Sequence, residues 1–363
     1  MNYRLATIFS PATYSDDATE PIDLNVKDPI SQIVVRFRLL NGAGGNSDGH
    51  PMKCLSRVEL VDGSDILFSL SGQEAHALDW YSNLIERPNI IQYLPSQPQF
   101  CALHINFGRW LYDPVLALDP AKFDNLQLKI TLDKDGGGMN NQNIILSAFA
   151  HLFDDKAVTP TGFLMAKEIK DYALGIGTHE YTDLPTDFPY RKLMLRSQKD
   201  GVGVEYTFGN IKLSEDNDKK IPINNTIMEF LHAVTAQGRP YREWIAVDGG
   251  AADRYFHITP GYWPGIMLTN WEGAAMSKVL TSWSGDGGYA RMFMEGIGGN
   301  AQALIEGWCP HSVIEIPFGL QNEIEDWYNV ADLGALQLDL TSGGGMTASE
   351  SCQVIVQQNR SYA

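Results

Sequence analysis

The sequence predicts an all-β chain built from two tandem β-rich units, each carrying one short helix. Three observations lead there. First, a set of landmarks occurs twice in the same order. Phe107-Gly108, Leu126-Gln127-Leu128-Lys129-Ile130-Thr131 and Gly136-Gly137-Gly138-Met139 return as Phe318-Gly319, Leu336-Gln337-Leu338-Asp339-Leu340-Thr341 and Gly343-Gly344-Gly345-Met346, at offsets of 211, 210 and 207 residues. Self-similarity at a long period marks a duplicated structural unit. Second, upstream of these landmarks, Val58-Glu59-Leu60 leads to Ser71-Gly72-Gln73-Glu74, and Ile211-Lys212-Leu213 leads to Thr226-Ile227-Met228-Glu229. Both tetrads are capping boxes, in which the Ser or Thr oxygen and the Glu carboxylate satisfy each other's backbone N–H groups. Third, short strand-like runs alternate with turn signals rather than with long helical patterns. That favours a sandwich or barrel over βαβ units.

Residues 1–28 are polar, with Pro11, Pro21 and Pro29 nearby, and read as an N-terminal arm with little regular structure. Ile33 to Leu40 is the first clear strand, β-branched at its start and alternating from Val35 to Leu39. Further strands are expected at Ser56–Val61, Ile66–Leu70, Phe100–Phe107, Leu126–Leu132 and Ile144–Phe153. Asp62-Gly63-Ser64-Asp65 supplies a tight turn. The first capped helix places Ala75, Leu78 and Ile85 on one face; the second places Ile227, Phe230, Leu231 and Val234. These marks divide the chain into the arm (1–28), a first unit (29–155), a connection (156–189) and a second unit (190–363). Within the connection, Phe163 to Tyr172 reads as a short helix. The second unit's strands are expected at Lys192–Arg196, Val204–Leu213, Val313–Pro317, Leu333–Thr341 and Cys352–Gln357.

The units differ in one stretch. From the capped helix to Phe-Gly takes about 33 residues in the first (Glu74 to Phe107) and about 89 in the second (Glu229 to Phe318). The extra material, an insertion at about 235–310, holds Trp244, Trp263, Trp271, Trp283 and Trp308, five of the eight tryptophans. It also carries glycine pairs at 249–250, 287–288 and 298–299. A long insertion in one loop of a duplicated fold reads as a surface elaboration, with the aromatics as a satellite core.

Composition bounds the function. At 363 residues and 44% hydrophobic content, each half can bury its own core. Net charge is −17, spread evenly: residues 1–180 carry −8 and the rest −9. No half offers the positive footprint that phosphate neutralisation needs, so direct nucleic-acid binding is not expected. Cys54, Cys101, Cys309 and Cys352 form no C-x-x-C pair and read as buried free thiols. The N-terminal residues lack an apolar core and cleavage pattern, and no run approaches 18 apolar residues, so the expectation is cytoplasmic synthesis with no transmembrane segment. Two glycosylation sequons, Asn224-Asn225-Thr226 and Asn359-Arg360-Ser361, carry no weight without secretion.

Motif searches single out no catalytic, cofactor-binding or metal-ligating residue. Gly201-Val202-Gly203 and Gly296-Ile297-Gly298-Gly299 miss the dinucleotide fingerprint, and the Gly-Gly-Gly-Met runs read as flexible hairpin loops. Asp133-Lys134-Asp135-Gly136 begins like a calcium loop, but Ile144 stands where the bidentate Glu belongs. Glu215-Asp216-Asn217-Asp218 reads as a solvated turn. The eight histidines show no zinc spacing. An enzyme is not expected, and no cofactor.

The tandem units, each with a short helix after an early hairpin, resemble the double jelly-roll major capsid proteins of tailless icosahedral viruses. The run Val58 to Ala75 is most similar to the phage members, and Leu336 to Arg360 also fits. The resemblance implies two eight-stranded jelly rolls side by side, and three chains forming a pseudo-hexameric capsomer. It implies a homotrimer touching neighbouring capsomers and penton, spike or minor capsid proteins, located in the virion capsid. The second-unit insertion would face outward and the arm inward. A competing reading is a carbohydrate-binding or glycan-hydrolysing two-domain β-sandwich, with Trp263, Trp271 and Trp283 stacking on sugar.

Overall fold

A computed structural model describes residues 1–44, 46–248, 254–270, 280–283, 285–294, 300–347 and 350–362. The first part of the chain holds β1 (Tyr3–Tyr14), β2 (Ala18–Asp23), β3 (Ile30–Asn41), β4 (Leu55–Asp62), β5 (Asp65–Leu70), α1 (Gly72–Asn83), β6 (Ile91–Tyr93), β7 (Pro98–Asn106), β8 (Leu126–Leu132) and β9 (Asn141–Phe153). The second holds β10 (Gly162–Ala173), β11 (His179–Asp183), β12 (Tyr190–Arg196), α2 (Val204–Thr207), β13 (Phe208–Glu215), β14 (Lys220–Thr226) and α3 (Ile227–Thr235). Next come β15 (Tyr241–Asp248), β16 (Arg254–His257), β17 (Pro260–Asn270), β18 (Leu280–Trp283), β19 (Tyr289–Met294) and β20 (Asn300–Pro310). The chain closes with β21 (Val313–Pro317), β22 (Leu336–Ser342) and β23 (Ser351–Ser361). The protein is mostly β, in several sheets.

The sequence repeat is also a repeat of strand pairing. In the first repeat, β8 lies between β2 and β4, with Ile22 and Leu60 both opposite Leu128. In the second, β22 lies between β11 and β13, with Thr182 and Leu213 both opposite Leu338. Val58 faces Ile130 as Ile211 faces Leu340. Even a surface side-chain bond recurs: Gln127 Nε2 donates to Asp23 Oδ1 at 2.8 Å, and Gln337 Nε2 to Asp183 Oδ1 at 3.0 Å. The other sheet of each repeat matches too. It runs β1-β9-β3-β7 in the first and β10-β23-β12-β21 in the second. Phe107 N–H bonds Ser31 O and Phe318 N–H bonds Arg191 O, both at 3.1 Å. The bulge between Thr7 and Phe9 has its counterpart between Glu168 and Lys170.

Two expectations are corrected. The segment 1–28 is not irregular: it contributes β1 and β2. Phe163–Tyr172 is not a helix but lies within β10, and the connection 156–189 supplies β10 and β11. β10 also joins the repeats. It pairs in parallel with β5, at Ala166 opposite Phe68 and Lys167 opposite Ser69. That bond fuses a four-stranded sheet of each repeat into one of eight, β2-β8-β4-β5-β10-β23-β12-β21. The Val204–Leu213 strand begins later than expected, at Phe208, behind the single turn α2.

Two large apolar cores follow the repeat, and β10 crosses between them. Phe163, Met165 and Ala166 are buried in the first core, whereas Leu174, just past the strand, is buried in the second. The Gly-Gly-Gly-Met runs are not simply flexible loops. A Cβ on Gly136 would stand 2.5 Å from Lys53 O, and one on Gly343 would stand 2.2 Å from Tyr206 O, so both positions exclude a side chain. The methionines that follow, Met139 and Met346, plug the two cores.

The insertion forms its own layer. β15, β17 and β20 join β6 of the first repeat in one sheet, β17-β20-β15-β6, and β16-β19-β18 form another. Their shared core consists of Ile91, Tyr93, Ile245, Val247, Phe256, Ile258, Met292, Ile305 and small alanines. Among the described residues this core is built by aliphatic side chains together with Tyr93 and Phe256, and contains no tryptophan. Trp244 and Trp263 are exposed, and Trp308 packs on the second core. Trp271, the glycine pairs 249–250 and 298–299, and the side chain of Trp283 lie outside the described residues.

Candidate functional site

The densest polar chemistry sits where α1, the segment before β4 and the insertion meet. His50, His76 and His311 are all sealed from solvent, at 1–2% exposure. Each comes from a different part of the chain. His50 precedes Pro51 and accepts the Met52 N–H on Nδ1 at 3.1 Å, which fixes the loop entering β4. With Nδ1 accepting, Nε2–H donates to Thr259 Oγ1 at 3.1 Å. Thr259 passes the chain on, donating N–H and Oγ1–H to the two oxygens of Glu243, both at 2.7 Å. This relay ties the first repeat to β15.

A second relay runs through α1. Arg196 Nη2 donates to Gln73 Oε1 at 2.7 Å, which leaves the Gln73 amide nitrogen as donor to His311 Nδ1 at 3.3 Å. His311 must then carry its proton on Nε2 and donate to His76 Nδ1 at 2.9 Å. Both rings are neutral in this pattern. Burial is the first cause: it drives the pKa of His76 down to about 4, and those of His50 and His311 well below the ordinary range. Glu243 moves the opposite way, to about 7, because burial outweighs the two Thr259 bonds.

Beside the cluster, Asp79 on α1 takes a two-pronged bond from Arg87 at 2.6 Å and accepts from Asn106 at 2.8 Å. On the other side Lys192 Nζ, fully buried, meets Glu315 at 2.5 Å, and burial lowers its pKa to about 8. Tyr81 OH donates to Val313 O at 2.7 Å and Lys192 donates to Tyr81 O at 3.3 Å, so α1 is bolted to the second repeat. The three histidine rings are closed to any substrate. Their arrangement holds elements together.

The other sequence candidates fall elsewhere. Glu215 and Asp218 are spent on Lys220, Lys212 and Ser214 within the β13–β14 hairpin, and Glu215 also on Tyr328 from the segment before β22. Asp135 accepts from Lys134 and from Asn141 N–H. Among the described residues no group of three or more His, Cys, Asp or Glu is placed to hold a metal, and no helix is long and apolar enough to cross a membrane. All four cysteines are buried and free, with burial raising the thiols of Cys54, Cys309 and Cys352 to about 12. Trp263 is 72% exposed on β17, and Trp244 and Met267 lie exposed on the same insertion sheet, opposite Leu304 on its two sides. The histidine cluster was not visible in the sequence: His76 and His311 are 235 residues apart, and no local spacing signals them.

No family model and no curated protein matches the sequence. Solved structures do. The STIV MCP matches with a TM-score of 0.60 at 10% identity, covering 99% of this chain and 97% of that one. The major capsid protein P2 from Bacteriophage PM2 matches at 0.57 and 10% identity, covering 99% and 98%. PBCV-1 VP54 matches at 0.57 and 11%, covering 99% and 94%. Over its whole length, therefore, the chain has the fold of the double jelly-roll major capsid proteins of icosahedral viruses.

Proposed function

We propose that the protein is a major capsid protein whose trimers form pseudo-hexameric capsomers of an icosahedral virion. The observation that carries this reading is the whole-length likeness to three capsid proteins, reinforced by the internal repeat of strand register. A duplicated chain suits a shell subunit, because three copies present six similar units to a near-sixfold lattice position. Each unit is an eight-stranded jelly roll with a capped helix after its early hairpin, α1 in the first and α3 in the second, which also carries the single turn α2. The first takes β1–β5 and β7–β9, and the second β10–β14 and β21–β23. The matching sheet orders support that count. On this division the units span about 1–155 and 162–363, and the N-terminal arm and the connection become their opening strands. The insertion layer, closed by β6, is the outward elaboration, available to neighbouring capsomers or spike proteins. The net charge of −17 leaves genome contact to other proteins.

Solution mass tests the reading. One chain is 40.3 kDa, so light scattering should give ~121 kDa for a closed ring of three. A clean monomer at micromolar concentration would overturn it.

A further inference from the structure

The chain contains one copy of an interface between repeats, and the strand equivalences show where a second copy of that interface is missing its mate. β5 is an edge strand of the first repeat until β10 closes it. β14 is the equivalent of β5: Leu213 faces Ile223 and Lys212 faces Asn224, as Leu60 faces Phe68 and Glu59 faces Ser69. Yet β14 is the end of its sheet, with nothing beyond it among the described residues. β1 is the equivalent of β10: Leu5 lies opposite His151 on β9 and Ala166 opposite Gln357 on β23, with the same bulge after Thr7 and Glu168. It too ends its sheet.

On the capsomer reading, we propose that β14 of one copy pairs in parallel with β1 of the next, repeating between chains the β5–β10 bond found within the chain. Transferring the register sets Ile223 opposite Leu5 and Asn224 opposite Ala6. Exposure supports the match. Inside the chain the interface residues are buried: Phe68 at 3%, Leu164 at 2% and Ala166 at 1%. Two counterparts on β1 are open, with Tyr3, the equivalent of Leu164, at 38% and Leu5, the equivalent of Ala166, at 57%, while Ile223, the equivalent of Phe68, is half-buried against the second core. The helix above follows the same rule. Gln73 is buried against Arg196, but its equivalent on α3, Met228, is 50% exposed. Arg196 corresponds to Arg36, since Arg196 faces Gln353 as Arg36 faces Ser147. Arg36 is exposed on β3, and Glu229 stands exposed beside Met228, so the transferred interface brings opposite charges together. Unpaired edges of this kind are templates for another strand. A head-to-tail contact closes into a ring of three chains when the rotation repeated from unit to unit is one sixth of a turn.

Paired cysteines test the register. Strands that pair lie about 4.8 Å apart, within disulfide reach, and the four native thiols are buried. The chain carrying Ala6→Cys together with Asn224→Cys, mildly oxidised, should run on non-reducing gels as covalent three-chain rings. Either single variant should stay one chain. A double variant that weighs three chains in solution yet does not cross-link would overturn this edge pairing while leaving the capsomer reading intact. A wild-type protein that is monomeric would overturn both. Leu5→Asp should keep the wild-type circular dichroism while dropping the mass to one chain, and a Leu5→Asp trimer would also overturn the pairing.

Discussion

The hydrogen bond from His311 Nε2–H to His76 Nδ1 holds only while His76 is neutral, because a protonated Nδ1 cannot accept. An unfolded histidine takes a proton near pH 6.5, but folded His76 resists until about 4. Between those values the unfolded chain binds more protons, so stability falls as pH falls through that window. The slope is at most about 1.4 kcal/mol per pH unit for each such histidine. Lys53, Arg87 and Arg196 reinforce the effect by repelling a further positive charge, and Asp79 opposes it at His76. Glu243 has the reverse sign: its raised pKa contributes stability below 4.5 that is lost as pH rises through about 7. Glu168, raised to about 7 by burial, acts with Glu243, while His104, lowered to about 4 by burial, acts with the three histidines, and the histidines stay the larger group. The urea midpoint should therefore fall from pH 6.5 to 4.5, and His76→Asn should flatten that fall. An unchanged slope in the variant would count against the relay. None of this is legible in the sequence, because each histidine is kept neutral by a burial that only the fold supplies.

The elements divide by how local their causes are. Both helix starts were legible because a cap acts over four residues. Ser71 and Glu74 make the reciprocal box, and Thr226 accepts from Glu229 N–H. Their buried faces were less so. α1 is buried on nearly all sides over its first nine residues, and Ile85 lies beyond its end and 53% exposed. Ser71→Ala should cost ~1 kcal/mol in thermal or chemical unfolding, with Thr226→Ala at the lower end of the usual range because its helix end is exposed. Equal losses would mean burial does not amplify the cap. β8 and β22 were readable from strict alternation, since each has one face in a core and one in solvent. β1 leaves little trace in the sequence because an edge strand with alternating half-burial carries little apolar signal. β10 reads as a helix in the sequence because its apolar start and its Lys167, Glu168, Lys170 and Asp171 mimic an amphipathic pattern. It is a strand because β5 and β23 offer it hydrogen bonds on both sides. In the insertion the tryptophans suggest an aromatic core, but its described core is filled by β-branched and small residues with Tyr93, Phe256 and Met292.

At the scale of the molecule, duplication explains why the two repeats cannot be treated as independent beads. The first core takes Phe163, Met165 and Ala166 from β10, Met194 from β12, Val313 from β21 and Ile355 from β23. Polar ties cross at the same place: Arg57 to Glu168 at 2.8 Å and Arg360 to Asp65 at 2.5 Å. Removing the second repeat would open β5 and uncover large apolar side chains, each worth about 1.5–3 kcal/mol when buried. A fragment ending near residue 158 should therefore bind a hydrophobic dye and lack cooperative unfolding. The covalent link matters less than the shared core, because residues 155–157 are exposed and carry no contact to either apolar core. Co-expressing 1–158 with 159–363 should thus restore a stable one-to-one complex that unfolds in one transition. If 1–158 folds cooperatively alone, the repeats are separable units. The parallel β5–β10 bond would then be a docking contact, and the interface repeated between chains would be weaker than the internal one suggests.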